Sequence, residues 1–306
     1  MSAEAGLRGP VGAIDIGTNS VRLLITDAAG RELERLMQMT RLGQGVDVTH
    51  ALLPEAIART TLVLSDYAAR LKAHGVSRVR AVATSAARDA QNGADFFDAA
   101  EAALGVRPEL LSGDAEARLS FAGATHGLAR ETGPFLVIDL GGGSTEFVLG
   151  TEQPEAAISV QMGCVRMTER HLHTDPPTRA ELAACEQDVR RELLQVRARL
   201  DVSGAQTVVG LAGTVTALSA LELGLTRYDA TRTHHSRLSA AQVATLCARL
   251  AAASLAERRQ LLVTPKRAEL IVGGAVVLST LMNELGLGEL LVSERDILDG
   301  LAASLR

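Results

Sequence analysis

Ala13-Ile14-Asp15-Ile16-Gly17-Thr18-Asn19-Ser20 and Val137-Ile138-Asp139-Leu140-Gly141-Gly142-Gly143-Ser144 are the two stretches that decide how this chain folds. Aligned without a gap, they share Ile, Asp, Gly and Ser at matching places. Each sits between short apolar runs, which reads as strand, glycine turn, strand. The first lies in a meander of Val11 to Ile16, Val21 to Thr26 and a third run through Met39. The second lies in Phe135 to Leu140, Thr145 to Leu149 and Ala156 to Gln161. The same order starting twice is an internal duplication, and it sets the expectation of two related α/β halves.

Working outward, Ile57, Thr61, Leu64, Ala68 and Leu71 recur at steps of four and three, which predicts a helix from Pro54 with Gly75 as its carboxyl-terminal cap. A strand at Arg78 to Ala83, a helix ending near Gly105, a strand at Val106 to Leu111 and a helix from about Asp114 complete the first half. In the second, helices are expected from about Thr178, a strand at Thr207 to Leu211, a strand near Glu289 to Val292 and a last helix from about Asp296. Ala212-Gly213-Thr214, following an apolar strand, is placed where a second phosphate or ribose contact would form. The stretch Glu116 to Gly133 is read as a hinge.

Composition narrows the function classes. At 306 residues, 47% hydrophobic and 22% charged, the chain has the size of two filled cores. With no Trp, two Tyr and a net charge of −5, it lacks the aromatic platforms and basic groove of a nucleic-acid binder, so no nucleic-acid partner is expected. Met1 to Pro10 holds no apolar run of the secretory kind, and a cytoplasmic location follows as an expectation. The longest apolar stretch, Leu270 to Met282, falls well short of the ~20 residues a bilayer needs and reads as a buried helix rather than a membrane span. Its Gly273-Gly274 pair serves either close helix packing or approach to a nucleotide base, packing being preferred. Cys164, Cys185 and Cys247 have no metal-site spacing and read as reduced, buried residues. His171-x-His173 and His234-His235 read as surface or capping residues.

A strand, Asp-x-Gly-x-x-Ser, strand hairpin has a direct use in holding phosphate. Glycine admits backbone angles closed to other residues, so successive N–H groups can line an anion site, with hydroxyls adding donors. The donors here are expected from Gly17, Thr18, Asn19 and Ser20, and from Gly141, Gly142, Gly143, Ser144 and Thr145. One such copy is as readily an ordinary turn. Two copies with an acid at the same place point to function, since Asp15 and Asp139 end apolar strands at tips where a carboxylate can meet a hydrated cation.

These two hairpins resemble the phosphate loops of the actin/Hsp70/sugar-kinase superfamily. Three further stretches make the exopolyphosphatase/guanosine pentaphosphate phosphohydrolase branch the nearer likeness: Ala83-Thr84-Ser85-Ala86-Ala87-Arg88, Leu111-Ser112-Gly113-Asp114-Ala115-Glu116-Ala117-Arg118-Leu119 and Gln161-Met162-Gly163-Cys164-Val165-Arg166. The likeness runs along nearly the whole chain. It implies two ribonuclease-H-like (actin-like ATPase) domains, 1–123 and 124–295, with substrate phosphates in an interdomain cleft and the helix 296–306 packing back on the first domain. It implies Glu116 as the catalytic carboxylate, although many relatives have a second acid where this chain has Ala115. It implies Asp139 and Glu146 as ligands of Mg2+, with Mn2+ as the alternative ion and Asp15 as a phosphate-loop residue that could join the metal. The substrates implied are inorganic polyphosphate and guanosine pentaphosphate, the nucleotide of the stringent response. A homodimer is left open.

The chemistry agrees with these roles. A phosphoanhydride resists attack because its oxygens are anionic, so a site must neutralise charge and align a water. Mg2+ takes oxygen ligands and keeps waters, so a carboxylate pair suffices. Arg88 and Arg166 are the guanidinium groups placed near substrate, with a surface role as the alternative for Arg88; Arg22 and Arg41 are weaker candidates. For Glu116 the plain alternative is a solvated helix residue paired with Arg118 or Ser120. Two competing functions remain: an ATP-dependent small-molecule kinase of the same superfamily, and a non-catalytic sensor of guanosine penta- or tetraphosphate. A P-loop enzyme is excluded, because neither Lys72 nor Lys266, the only lysines, lies in a GxxxxGK[ST] setting. Larger relatives carry an added helical module that this chain does not show, from which a preference for short polyphosphate follows.

Overall fold

A computed structural model describes residues 9–128 and 133–306. Residues 1–8, most of the stretch read for a secretory signal, and residues 129–132, within the expected hinge, lie outside the described part. The chain divides into two compact units: one runs to Gly123 and takes up Ile297–Arg306, and the other is Ala124–Asp296. In chain order the elements are β1 (Val11–Ile16), β2 (Ser20–Thr26), β3 (Glu32–Met39), α1 (Val46–Thr49), α2 (Pro54–Ala73), β4 (Arg78–Ala83), α3 (Ser85–Asp89), α4 (Gly93–Leu104), β5 (Glu109–Leu110) and α5 (Gly113–Thr125). They continue as β6 (Phe135–Leu140), β7 (Thr145–Gly150), β8 (Pro154–Val160), α6 (Cys164–His171), α7 (Arg179–Arg199), β9 (Thr207–Leu211), α8 (Ala212–Glu222) and α9 (Ala230–Thr233). Last come β10 (Arg237–Ser239), α10 (Ala240–Ala252), α11 (Leu255–Leu261), α12 (Ile271–Glu284), β11 (Glu289–Val292) and α13 (Ile297–Ser304).

The duplication inferred from sequence is a duplication of topology. The first sheet has the order β3-β2-β1-β4-β5 and the second β8-β7-β6-β9-β11-β10. In both, an antiparallel three-strand meander leads into strands that join its first member in parallel, the ribonuclease-H-like order; β10 adds an antiparallel edge to the second. β1 and β6 are buried along their whole length because both faces are covered, so they read as continuous apolar runs instead of alternating ones. Ile14 and Ile16 face a core that includes Leu64 and Tyr67 of α2. Ala13, from the opposite face of β1, packs with Leu24, Val82 and the α13 residues Ile297, Leu298 and Leu301. Asp15 shares that face of the pleat with Ala13.

Several local expectations shift. The buried stripe of α2 is Ala56, Thr60, Leu64, Tyr67 and Leu71, so Ile57, Thr61 and Ala68 lie at its margin. Ala56 and Tyr67 take the central places. Gly75 ends the helix as expected: at φ +66 it allows Val76 N–H to reach the Leu71 carbonyl and its own N–H to reach Lys72. The strand expected at Val106 to Leu111 shrinks to two residues, since Pro108 has no N–H to offer and Arg107 pairs with Asp98 and Glu101. The helix α6 and the edge strand β10 are additions to the expected elements.

The apolar run of the second half forms α12, buried from Ile271 to Leu278. Gly273 and Gly274 serve packing: a Cβ on Gly273 would lie 2.2 Å from Thr168 Oγ1 of α6, and one on Gly274 would lie 2.3 Å from Thr214 Oγ1 of α8. Among the described residues no helix is long and apolar enough to cross a membrane.

Candidate active site

Each meander carries its glycine turn between its first two strands, and the turns share the same closing bond. Gly17 N–H donates to the Ser20 carbonyl at 2.9 Å, and Gly141 N–H donates to the Ser144 carbonyl at 3.1 Å. Neither glycine has the left-handed angles expected for it. Crowding favours glycine instead, since a Cβ would press on the Ser20 carbonyl at 3.2 Å in one turn and on the Ser144 carbonyl at 3.0 Å in the other.

The segment following the third strand of each meander packs beneath the turn and collects its carbonyls. In the first unit, Gly43 N–H donates to the Thr18 carbonyl at 2.8 Å, while Thr40 and Arg41 N–H donate to that of Asn19. In the second, the first amides of α6 do this work. Cys164 N–H reaches Gly141 O at 3.0 Å, Val165 and Arg166 N–H reach Gly142 O at 2.8 and 3.2 Å, and Arg166 Nε reaches Gly143 O at 2.7 Å. The amides α6 would otherwise leave unsatisfied are thereby capped. In a planar trans peptide the C=O and the next N–H point opposite ways. With the carbonyls of 141, 142 and 143 turned to α6, the N–H groups of Gly142, Gly143 and Ser144 are turned away from it, as an anion-binding concavity requires. Gly163 permits this contact: a Cβ there would lie 2.2 Å from Gly142 C and O and 2.5 Å from Gly143 N. Arg166 therefore braces the loop with at least one of its nitrogens.

The acids at the two strand tips differ in what faces them. Asp15 pairs in register with Arg22, and Arg22 Nε and Nη2 both donate to Asp15 Oδ2, at 3.0 and 2.6 Å. Asp139, at the equivalent place, is paired in register with Glu146. The first hairpin neutralises its own carboxylate. The second sets two buried carboxyl groups, 7% and 1% exposed, on adjacent strands beside the glycine turn. Opposed side chains in such a pair start about 5 Å apart. Glu146 Oε1 accepts from Ser144 Oγ at 2.7 Å and Ser159 Oγ at 2.6 Å, and Thr145 Oγ1 donates to the Met162 carbonyl at 2.5 Å. Oxygen-only donors next to this glycine turn fit a hard divalent cation that keeps waters or substrate oxygens in its shell. Among the described residues no group of three or more His, Cys, Asp or Glu gathers as a metal site, so protein ligation there would rest on this pair.

Arg88 and Glu116 come together in the first unit. Arg88, from α3, donates through Nη1 to the Leu111 carbonyl at 2.8 Å and to Glu116 Oε2 at 3.1 Å. Glu116 sits in the first turn of α5, where the amide dipoles favour an anion; Ser112 holds that turn by accepting from Ala115 and Glu116 N–H. The neighbouring Arg118 bonds Asp114, one turn back. Both groups are mostly buried, at 21% and 12% side-chain exposure.

Ala212-Gly213-Thr214 starts α8, with Ala212 at φ 69. The Arg267 guanidinium lies so close over Gly213 that a Cβ would stand 1.8 Å from Nη1. Beneath the loop, burial pushes the Cys164 thiol pKa up, against opposing effects of Arg267 and a Thr214 hydrogen bond, so Cys164 is a neutral packing residue. All three cysteines are free, as expected.

One histidine departs from its reading. His171 is no surface residue: its Nε2 lies 2.7 Å from Oδ2 of buried Asp188, which Arg170 also bonds at 2.8 Å and Arg191 bonds through Oδ1. Burial alone would raise the Asp188 pKa, yet these donors hold it well below the usual carboxylate range. The cluster ties α6 to α7. Sequence reasoning also missed Ser159 and the bracing role of Gly163; their signals lie in strand register and in the return of α6 onto the loop.

Known proteins share this architecture. An Exopolyphosphatase 2 of Mycobacterium tuberculosis is 47% identical over 312 aligned positions, covering 96% of this chain and 98% of the relative. A crystal structure described as an exopolyphosphatase-like protein superimposes with a TM-score of 0.93 at 38% identity, over 96% of this chain and 98% of the other. The Aquifex aeolicus member of the Ppx/GppA protein family superimposes with a TM-score of 0.80 at 30% identity, over 97% of each chain. Matched by the Ppx/GppA phosphatase family model over residues 25–305, and with these relatives spanning almost its whole length, the chain belongs to the Ppx/GppA phosphatase family.

Proposed function

We propose that this phosphatase-family chain removes the terminal phosphate from linear phosphoanhydrides, with short-chain inorganic polyphosphate and guanosine pentaphosphate as its substrates. The observation that carries this reading is the second hairpin: a glycine turn whose carbonyls are held by α6, so that its amides face the other way, beside Asp139 and Glu146. The likeness to an exopolyphosphatase at 47% identity supports polyphosphate as the first substrate to test.

In this reading the amides and hydroxyls of the two turns orient the phosphates, and Asp139 and Glu146 hold Mg2+, or Mn2+ in its place. Once bound, the cation supplies charge compensation for the phosphate oxygens. Arg88 presents a guanidinium suited to paired phosphate oxygens while also steering the Glu116 carboxylate. Glu116 accepts the proton of the attacking water, a role typically worth ~10²–10⁴ in rate. Hydroxide oxygen bonds to the terminal phosphorus, and the bridging oxygen leaves with the shortened chain.

Phosphate release from short polyphosphate and from guanosine pentaphosphate, measured in parallel with and without Mg2+, tests the proposal. Mg2+-dependent release from at least one substrate is expected. Absence of release from both at saturating Mg2+ would overturn it.

A further inference from the structure

We infer that Ser159 is a positioning residue for Glu146, holding its carboxylate in the orientation that binds a divalent cation. The inference rests on the cation assignment made above for Asp139 and Glu146, and it adds a residue from a third strand.

The geometry is a ladder across the second sheet. Asp139 of β6 pairs in register with Glu146 of β7, and Glu146 pairs in register with Ser159 of β8. Residues directly opposite one another in antiparallel strands project to the same face, so the three side chains form one row. Within it Ser159 Oγ donates to Glu146 Oε1 at 2.6 Å, and Ser144 Oγ donates to the same oxygen at 2.7 Å. Two donors on one oxygen, from two directions, fix the carboxylate about its last torsion, which is otherwise broad and soft. Carboxylates that bind metals are commonly held in this way, and loss of the outer partner typically costs 10–100-fold in metal affinity.

The first sheet supplies an internal control. At the equivalent level its row is Asp15, Arg22 and Met37. There the second strand brings an arginine that bonds Asp15 directly, and the third strand brings a thioether, which donates nothing. In the second sheet the arginine is replaced by a glutamate, and the thioether by a hydroxyl aimed at that glutamate. The two differences are matched: a hydroxyl donor stands in the third strand where the row carries a carboxylate pair, and is absent where the pair is already an ion pair. A packing role alone gives no reason for that correlation.

The test is Mn2+ binding to the full-length protein without substrate, followed by electron paramagnetic resonance of the free ion, for wild type, Ser159→Ala, Ser159→Thr and Asp139→Asn. Ser159→Ala is expected to weaken Mn2+ binding about 10–100-fold. Its melting temperature should stay near that of wild type, and Ser159→Thr, which keeps the hydroxyl, should restore most of the affinity. In turnover assays Ser159→Ala should recover much of its kcat at high Mg2+. Ser159→Ala binding Mn2+ as wild type does, while Asp139→Asn binds weakly, overturns the positioning role and leaves the cation site standing. Equal weakening by Ala and Thr also overturns it, because the hydroxyl would not be the operative group. Absence of Mn2+ binding by wild type overturns both this inference and the cation assignment.

Discussion

Replacing Gly163 with alanine isolates the brace under the second glycine turn. Gly163 has φ −108 and ψ 164, extended angles that alanine adopts without penalty, so the substitution adds one methyl and no backbone strain. That methyl would stand 2.2 Å from Gly142 C and O and 2.5 Å from Gly143 N, where ordinary contact begins at 3.4 Å. All three atoms are backbone, with no flexible side chain to yield. Relief needs a displacement of about 1 Å between the loop and the start of α6, which breaks or lengthens the bonds from Cys164, Val165 and Arg166 to the loop carbonyls. Misplacement of a reacting group by about 1 Å costs on the order of 10²-fold in rate, or about 2.7 kcal/mol of barrier. Overpacking should add a stability loss of about 1–3 kcal/mol. The assay is steady-state phosphate release with thermal melting of the same preparation. A roughly 100-fold fall in kcat/KM with the fold retained is expected. Wild-type kcat/KM in Gly163→Ala would refute the reasoning, since the loop would then tolerate a shift as large as the clash demands.

Three further outcomes follow from the site. Glu116→Gln keeps size and hydrogen bonds but removes basicity, so kcat should fall about 10²–10⁴-fold with substrate binding retained; equal turnover would remove Glu116 as the base. Asp139→Asn should raise the Mg2+ concentration needed for half-maximal turnover while the melting temperature holds, and an unchanged Mg2+ titration would count against the carboxylate pair as the cation site. Asp188→Asn should lower stability by about 1–3 kcal/mol at neutral pH, because Arg170, Arg191 and His171 lose a charged acceptor. Since the folded Asp188 pKa is depressed, its contribution is complete above the ordinary Asp value near ~4 and fades as pH falls through the depressed value. Wild type and Asp188→Asn should accordingly converge in chemical denaturation only in strong acid; a gap unchanged from pH 7 to pH 2 would exclude the electrostatic account.

The sequence was most legible where burial on both faces left no freedom. β1, β6, β9 and β11 match the runs read for them because interior strands of such sheets are largely apolar, with polar residues only at or near their ends: Asp15, Asp139, Thr207 and Glu289. The hairpin turns follow from their length, and the Asp139–Glu146 pairing follows from the turns. Where neighbours decide, sequence reasoning failed. Ala56 and Tyr67 lie at the centre of the α2 stripe, which a count of branched apolar residues does not reveal. Ser159 reaches Glu146 only through the register of β7 with β8, which shifts at Leu149/Gly150 and is not written in either strand alone. Gly163 and His171 acquire their roles when α6 folds back on the loop and onto α7, a tertiary event with no local signature. Even Gly17 and Gly141 were right in identity and wrong in cause, being favoured by crowding and not by left-handed backbone angles.

The glycine pair of α12 has a mechanical consequence. The turn of Gly141 to Gly143 stands on the amides of α6, and α6 stands on Gly273, whose absent side chain admits the Cys164 carbonyl and the second turn of that helix. Sliding α6 along α12 by one helical turn would bring Val276 or Val277 to the seat now filled by Gly273, and their side chains would collide with Thr168 and the Cys164 carbonyl. The helix thus has a single seat, and thermal motion in this part of the unit must take the form of rare whole-body openings instead of creep. Amide hydrogens along α12 should then exchange with solvent together and last, and the loop above them inherits that stiffness without needing a side chain of its own to supply it.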